Sequence, residues 1–520
     1  MRVGMGGVGG VGRWACGFLV SGVLLGGLVV APAAPAVAAT CAGGVSDFNG
    51  DGVTDTIVAD PQATVNGVKR AGLVRVLFGG NKGAVELTQA SPGMATTPER
   101  GDQFGQSTAF TDIDSDGCSD LVVGAPLEDV PRDGQNLVDA GVIAVFHGSP
   151  TNFGTGAKVD SYAQDEFDAG SAAEAYDRFG FALQGGTASS GEPYLLIGVP
   201  GENLTIDGTS YADAGLVNYQ LGTKRYAVHQ DTPGVPGGVE AHDEFGYSLA
   251  GTNRFFAVGA PGEAIGTEEY AGAVTIFAQS VVDGHPKALV GIDQNASGVS
   301  GDSEAGDVFG TTLDMTNYRP SDQTYNSDAL LAVGVPAEEI GGKAGMGMVH
   351  VLRIEPDGKI TERAALSPDA TDVDGTGAAA DHFGQDLAID NLDTEAVTAS
   401  ATMRLAVGIP GRDTGGTDAG VIQVFRPLDA NPGSADKIIS RGSTTLPGTA
   451  TSRDYLGTAL HSGAVNLYVG VPFSKAGDST KGVLYVTPWT DVDSGTKPAT
   501  VFKPGTNGIP DAGATFGELG

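Results

Sequence analysis

Short apolar runs, none with a helical period, set the rhythm of this chain. Seven of them end in proline: Ile57-Val-Ala-Asp-Pro61, Val122-Val-Gly-Ala-Pro126, Leu196-Ile-Gly-Val-Pro200, Ala257-Val-Gly-Ala-Pro261, Ala332-Val-Gly-Val-Pro336, Ala406-Val-Gly-Ile-Pro410 and Tyr468-Val-Gly-Val-Pro472. An apolar run of this length, bounded by turn formers, predicts a strand, and a proline that cannot donate to a ladder marks its end. After each run comes a loop, then a glycine that opens an alternating segment: Gly72, Gly141, Gly215, Gly272, Gly347, Gly420 and Gly482. A third marker, Asp-x-Phe-Gly, begins at Asp102, Asp177, Asp243, Asp307 and Asp381. It is weaker at Asp454-Tyr-Leu-Gly457 and lacks its Asp at Phe516-Gly517. Three independent markers agree on seven units.

Each unit therefore predicts a sheet of three or four strands. Such a sheet has two apolar faces and cannot bury them alone. Seven packed radially bury each face against the next, which predicts an all-β fold, a seven-bladed β-propeller. The first unit has no Phe-Gly before its proline run, and the last Phe-Gly has no proline run after it. The C-terminal strand is thus expected to complete the N-terminal blade and remove the exposed edges. Only Glu518, Leu519 and Gly520 follow Phe516-Gly517, so that strand must be short.

Phe-Gly followed by Gly-Ala-Pro is identified as the FG-GAP repeat. The chain resembles the N-terminal seven-bladed propeller of integrin α subunits, in the form secreted by bacteria, over essentially all of residues 40–520. The resemblance implies that the Phe of each marker wedges between neighbouring blades.

Two units carry a dense acidic loop before the proline run. One is Asp47-Phe-Asn49-Gly-Asp51-Gly52-Val53-Thr-Asp55, the other Asp112-Ile-Asp114-Ser-Asp116-Gly117-Cys118-Ser-Asp120. Side-chain oxygens at positions 1, 3, 5 and 9, a turn glycine at 6 and a backbone carbonyl at 7 can wrap one hard cation. The expected ligands are Asp47, Asn49, Asp51, Val53 and Asp55 in the first loop. In the second they are Asp112, Asp114, Asp116, Cys118 and Asp120, Val53 and Cys118 acting through their carbonyls. Carboxylates so close repel one another unless a cation sits among them. An EF-hand would need Glu at position 12, where Val58 and Val123 stand. A polar Asx-turn without metal is the alternative, but two near-identical copies at equivalent repeat positions favour metal. The calcium loops of FG-GAP proteins match these positions, so two structural Ca²⁺ sites are expected. The other five units show no such loop.

Composition narrows the class. Asp and Glu number 63 against 29 Lys and Arg, a net charge of -34, which opposes nucleic-acid binding. At 41% hydrophobic residues the chain is too apolar for a disordered polyanion. Residues 1–39 contain no Asp or Glu. Arg2 and Arg13 precede an apolar stretch from Trp14 to Val30, and small residues stand at Ala36 and Ala38. This describes a secretory signal peptide, residues 1–39, leaving 40–520 as the propeller with no later membrane-spanning stretch. Secretion to the extracellular space follows. Cys41 and Cys118 then remain, and in an oxidising compartment they read as one disulfide, or else as two buried thiols.

Catalytic signals are weak. Gly246-Tyr-Ser248-Leu-Ala250 resembles a nucleophile elbow without its last glycine. Its serine position holds Ser107, Ala182, Thr312, Asp386 and Ala459 in other units, which marks a strand position. His147, His229, His285 and His461 lack the sequence spacing of a zinc site. Arg100-Gly101-Asp102 spells an integrin-binding tripeptide, but its Asp belongs to the repeat marker. The longest loops after proline, 127–140 and 201–214, carry Glu128, Asp129, Asp133 and Asp139, and Glu202, Asp207 and Asp213. They read as solvated loops, or as a rim for a cationic partner. Trp489 is the only tryptophan of residues 40–520, which gives a Trp-lined sugar site little support. The expected function is extracellular binding or adhesion by a monomer, toward a protein or a surface glycan. A secreted hydrolase on a propeller scaffold and a cell-wall structural protein are the alternatives.

Overall fold

The computed structural model describes residue 41 and residues 43–168, 171–474 and 481–519; the expected signal peptide and Gly520 lie outside them. Each proline run does form a strand, second in blades 2 to 7 and first in the three-stranded blade 1. Blade 1 orders Thr56–Asp60, Leu73–Leu77 and Ala84–Leu87 side by side. Blade 2 orders Thr108–Thr111, Asp120–Ala125, Val142–Phe146 and Val159–Tyr162. Five more four-stranded blades begin at Leu183–Thr187, Ser248–Gly251, Thr312–Tyr318, Leu387–Asn391 and Ala459–Ser462. All neighbouring strands are antiparallel, so loops before and after a proline run leave opposite ends of its strand. Among the described residues no helix is long and apolar enough to cross a membrane.

The repeat markers have a single physical origin, the blade junction. Phe104, Phe179, Phe245, Phe309, Phe383, Leu456 and Phe516 are all at most 1% exposed, each in a different apolar cluster. Phe179 joins Ile143 and Val145 of blade 2 to Leu195 and Ile197 of blade 3. Phe516 joins Leu484 of blade 7 to Val58 and Leu77 of blade 1, which closes a ring of seven. The glycine opening each third strand faces the next Phe. At Gly141 (φ +87) an added Cβ would stand 2.4 Å from the Phe179 carbonyl oxygen. At Gly215 (φ +81) it would stand 2.3 Å from that of Phe245. Only glycine fits this left-handed backbone at such close approach.

Closure itself is one bridge rather than a strand. Ala59 N–H donates to Glu518 O at 3.1 Å, and Gly517 N–H to Ala59 O at 3.3 Å. Side chains reinforce it. Asp60 accepts the N–H groups of Ala514 (2.9 Å) and Thr515 (2.8 Å). The fully buried Arg75 holds Glu86 at 2.7 Å and the Ala512 carbonyl at 3.2 Å, and lies over the Phe516 ring. In blade 2 the corresponding residues are Ala125 and Ala144, so this ion pair belongs to the junction where the chain ends meet.

The two long loops correct the sequence reading. Each folds into a two-stranded hairpin, Val130–Arg132 with Gln135–Leu137 and Leu204–Ile206 with Thr209–Tyr211. Asp133-Gly134 and Asp207-Gly208 supply the positive-φ turns. Glu128 and Glu202 are not rim residues. They are 4% and 8% exposed, packed at blade junctions beside Asp102 and Asp177. Gln89 donates to Glu128 at 2.5 Å, and Gln164 to Glu202 at 2.7 Å. Two further junctions repeat this, with Gln230, Glu263 and Asp243, and with Gln294, Glu338 and Asp307.

Candidate metal centre

The two acidic loops adopt one hydrogen-bond framework. In the first, Asp47 accepts the N–H groups of Asp51 (3.1 Å) and Gly52 (2.8 Å), and Asn49 accepts that of Asp51 (3.1 Å). Asp51 accepts from Val53 N–H at 3.0 Å. In the second, Asp112 accepts from Asp116 (3.0 Å) and Gly117 (3.0 Å), Asp114 from Asp116 (3.3 Å), and Asp116 from Cys118 (2.8 Å). The ninth residue anchors each loop to its blade. Asp55 accepts from Phe48 N–H (3.1 Å) and Gly79 N–H (2.9 Å), Asp120 from Ile113 N–H (2.8 Å) and Gly148 N–H (2.8 Å). Ten predicted residues thus fall into two equivalent sets. Backbone N–H groups hold these carboxylates in place, those of the loop itself together with Gly79 in the first and Gly148 in the second.

Their electrostatics fit a cation. Oxygens of Asp112, Asp114 and Asp116 lie within 4.8 Å of one another. Partial burial, then the neighbouring charges of Asp120 and Asp116, raise the Asp112 and Asp114 carboxyls above their usual range. Burial pushes Asp55 up to about 6, helped by Asp47 and Asp51. Negative charge gathered on hard oxygen donors in this way suits a divalent ion such as Ca²⁺. The loops differ at their edges. Lys82 reaches Asp51 at 2.7 Å in the first and lowers its carboxyl. In the second, His147 stands among Asp114, Asp120 and Asp160. Asp120 foremost, then Asp160, raises its imidazole to about 9.

A disulfide ties the loops together. Cys41 and Cys118 are bonded, with Cα atoms 5.0 Å apart. Beside it Gly43 N–H donates to Gly117 O (3.1 Å), Ser119 N–H to Asp47 O (3.2 Å) and Ser149 N–H to Phe48 O (2.8 Å). The first loop is therefore stitched to the second across the junction of blades 1 and 2.

Elsewhere the structure removes the weaker motifs. Ser248 is buried and its hydroxyl donates to Gly310 O at 2.6 Å; Ser107 does the same to Gly180 O at 2.6 Å. These hydroxyls stitch adjacent blades. Asp102 of the Arg-Gly-Asp tripeptide is 3% exposed, and Trp489 is 1% exposed. Opposite the metal loops, a cavity of about 420 Å³ opens beside Pro410, lined by His382, Gln385, Asp418, Tyr455 and Thr458.

The FG-GAP repeat family profile matches residues 104–146, which hold blade 2 through its third strand and the whole second loop. The chain is an all-β propeller of seven blades carrying FG-GAP repeat markers. Among solved structures it is similar to a proposed 6-phosphogluconolactonase from Bacteroides uniformis, at 10% identity and a TM-score of 0.43, covering 88% of this chain and 98% of that one. A second proposed 6-phosphogluconolactonase, from Bacteroides fragilis, gives 9% identity and a TM-score of 0.29, covering 76% and 97%. Likeness at this level carries no argument about activity. No curated protein matches the sequence.

Proposed function

We propose that the protein is a secreted, calcium-stabilised propeller that works as an extracellular binding module. The observation that supports it best is the pair of equivalent oxygen cradles at adjacent blades, tied by a disulfide suited to an oxidising compartment. Asp47, Asn49, Asp51, Asp55 and the Val53 carbonyl would hold one Ca²⁺. Asp112, Asp114, Asp116, Asp120 and the Cys118 carbonyl would hold the other. Calcium there supplies cross-linking charge, so its role is to keep the loops and the first two blades in one arrangement. The opposite face stays free for a partner, a protein or a surface glycan, with the cavity at His382 and Tyr455 as its candidate contact point.

Immobilised protein should retain defined components of a cell-envelope extract in calcium buffer, and retain them less after chelation. Replacing His382 and Tyr455 with alanine should abolish retention while leaving the melting temperature within about 2 °C. Retention unaffected by those replacements would remove the proposed binding face. Turnover in screens of esters, phosphodiesters or glycosides would replace the binding reading with a hydrolase.

A further inference from the structure

The second loop is supplied with a nitrogen donor that the first lacks. His147 directly follows the third strand of blade 2 and is 7% exposed. Its Nδ1 is buried and faces two carboxylates, 3.2 Å from Asp114 Oδ2 and 3.5 Å from Asp120 Oδ1, in ion-pair contacts that lack hydrogen-bond geometry. Its Nε2 is occupied, 2.9 Å from Asp160 Oδ2 on the outer strand of the blade. Lys158 Nζ holds the same carboxylate oxygen at 2.5 Å. A carboxylate on one ring nitrogen orients the other toward the loop oxygens, where a metal ion would take the place of the Nδ1 proton, and such a carboxylate is the usual support of a metal-bound histidine.

The separations match that role. Two ligand atoms, each about 2.1 Å from a tetrahedral ion, stand about 3.4 Å apart. Asp114, Asp120 and His147 present three such atoms within 4.8 Å of one another. Asp114 is also one of the inward-facing loop oxygens and its side chain is 43% exposed, so an ion could enter from solvent. Cys41 and Cys118 are close by, but their sulfurs are taken by the disulfide. At the equivalent place in blade 1 stands Phe78, ahead of Gly79 as His147 is ahead of Gly148. The first loop therefore offers oxygen alone.

We propose that His147 Nδ1 joins Asp114 and Asp120 as a ligand, making the second loop a mixed nitrogen–oxygen site that takes Zn²⁺ ahead of Ca²⁺. Imidazole suits zinc, whereas carboxylates and carbonyls alone suit calcium. The two loops then divide between two metals, one all-oxygen and one mixed. This rests on the reading of both loops as cation sites, and the test separates the two claims.

Chelator-treated full-length mature protein is dialysed against ZnCl₂ at micromolar free zinc in millimolar CaCl₂, and both metals are counted. The expected result is one zinc and one calcium per chain. His147→Phe, which copies blade 1, should weaken zinc at least tenfold and restore a second calcium. Asp160→Asn should weaken zinc about 10- to 100-fold with calcium in the first loop unchanged. Cobalt substituted for zinc should give a visible absorption band whose shape changes in His147→Phe, a signature no merely structural histidine would move. Circular dichroism of both variants identifies any that fails to fold, and the other then decides. Two calcium ions with no zinc, or zinc affinity indifferent to His147, overturns this inference and leaves the calcium reading standing. Neither metal bound overturns both.

Discussion

Replacing Arg75 with alanine is expected to lower the stability of the propeller by about 3–5 kcal/mol, the usual effect of removing one partner of a buried ion pair. Arg75 has no exposed surface, and Asp60, 3.7 Å away, has none either. The guanidinium also binds Glu86 and the Ala512 carbonyl and covers the Phe516 ring. Without it, Asp60 stays buried with the backbone N–H groups of Ala514 and Thr515 and the Thr515 hydroxyl to solvate it, and no positive charge. The single bridge at Ala59 and Glu518 is too little to hold the C-terminal segment alone. Urea titration should register the loss, and hydrogen exchange should show it concentrated in residues 514–518 and Thr56–Asp60. A loss below about 1 kcal/mol, of the size seen at ordinary surface sites, would show that the ring closes by apolar packing without this pair.

The second large effect is a loss of stability with rising pH. Four junctions bury two carboxyl groups together with a glutamine. Burial first, then the paired aspartate, pushes Glu128 up to about 9, Glu202 and Glu263 up to about 8, and Glu338 up to about 7. Glu99, Glu174, Glu240 and Glu304 add further negative charge at the same junctions. The sign follows directly. An unfolded glutamate releases its proton near pH 4.3, whereas these release theirs only between about 7 and 9 in the folded state. Between those limits the folded chain binds more protons, so stability is full below pH 4.3 and falls as pH rises through 7 to 9. Each proton held only by the folded state contributes about 1.4 kcal/mol per pH unit. The next two junctions show the alternative to a proton. Arg412 pairs with Asp381 at 2.9 Å, and Arg441 with Asp454 at 2.9 Å. At constant saturating calcium, the melting temperature should decline from pH 5 to pH 9. Glu128→Gln and Glu202→Gln should each flatten that decline and raise stability at pH 9. Equal destabilisation by these variants at every pH would mean that the carboxylates themselves, rather than their protons, are what the junction needs.

The ring was legible in the sequence because its markers are backbone constraints. Gly141 and Phe179 recur at a fixed place because one contact requires both, so the repeat survives the drift of every other position. The shared framework of the two acidic loops was legible for a similar reason: the 1, 3, 5, 9 spacing is local, and the hydrogen bonds around Asp47 repeat at Asp112. Partners chosen across blades left weaker traces. Glu128 and Glu202 looked like rim acids because nothing within their loops places them beside Asp102 and Asp177. Aligning the units would have exposed them, since an acid stands two residues after proline in four consecutive repeats. Asp60 and Arg75 were visible as departures from the repeat, but their meaning depends on chain ends 437 residues apart for Arg75 and Ala512. His147 is 27 residues from Asp120, outside any local zinc spacing, and strand pairing alone brings it there.

Metal counting decides whether both acidic loops hold calcium, as proposed. Metal-free protein dialysed against calcium alone, at concentrations above the 10⁻⁴–10⁻³ M range typical of extracellular modules on the order of magnitude, should bind two equivalents. Asp51→Ala and Asp116→Ala should each bind one. A chain that binds none, or that keeps two in both variants, would contradict the assignment.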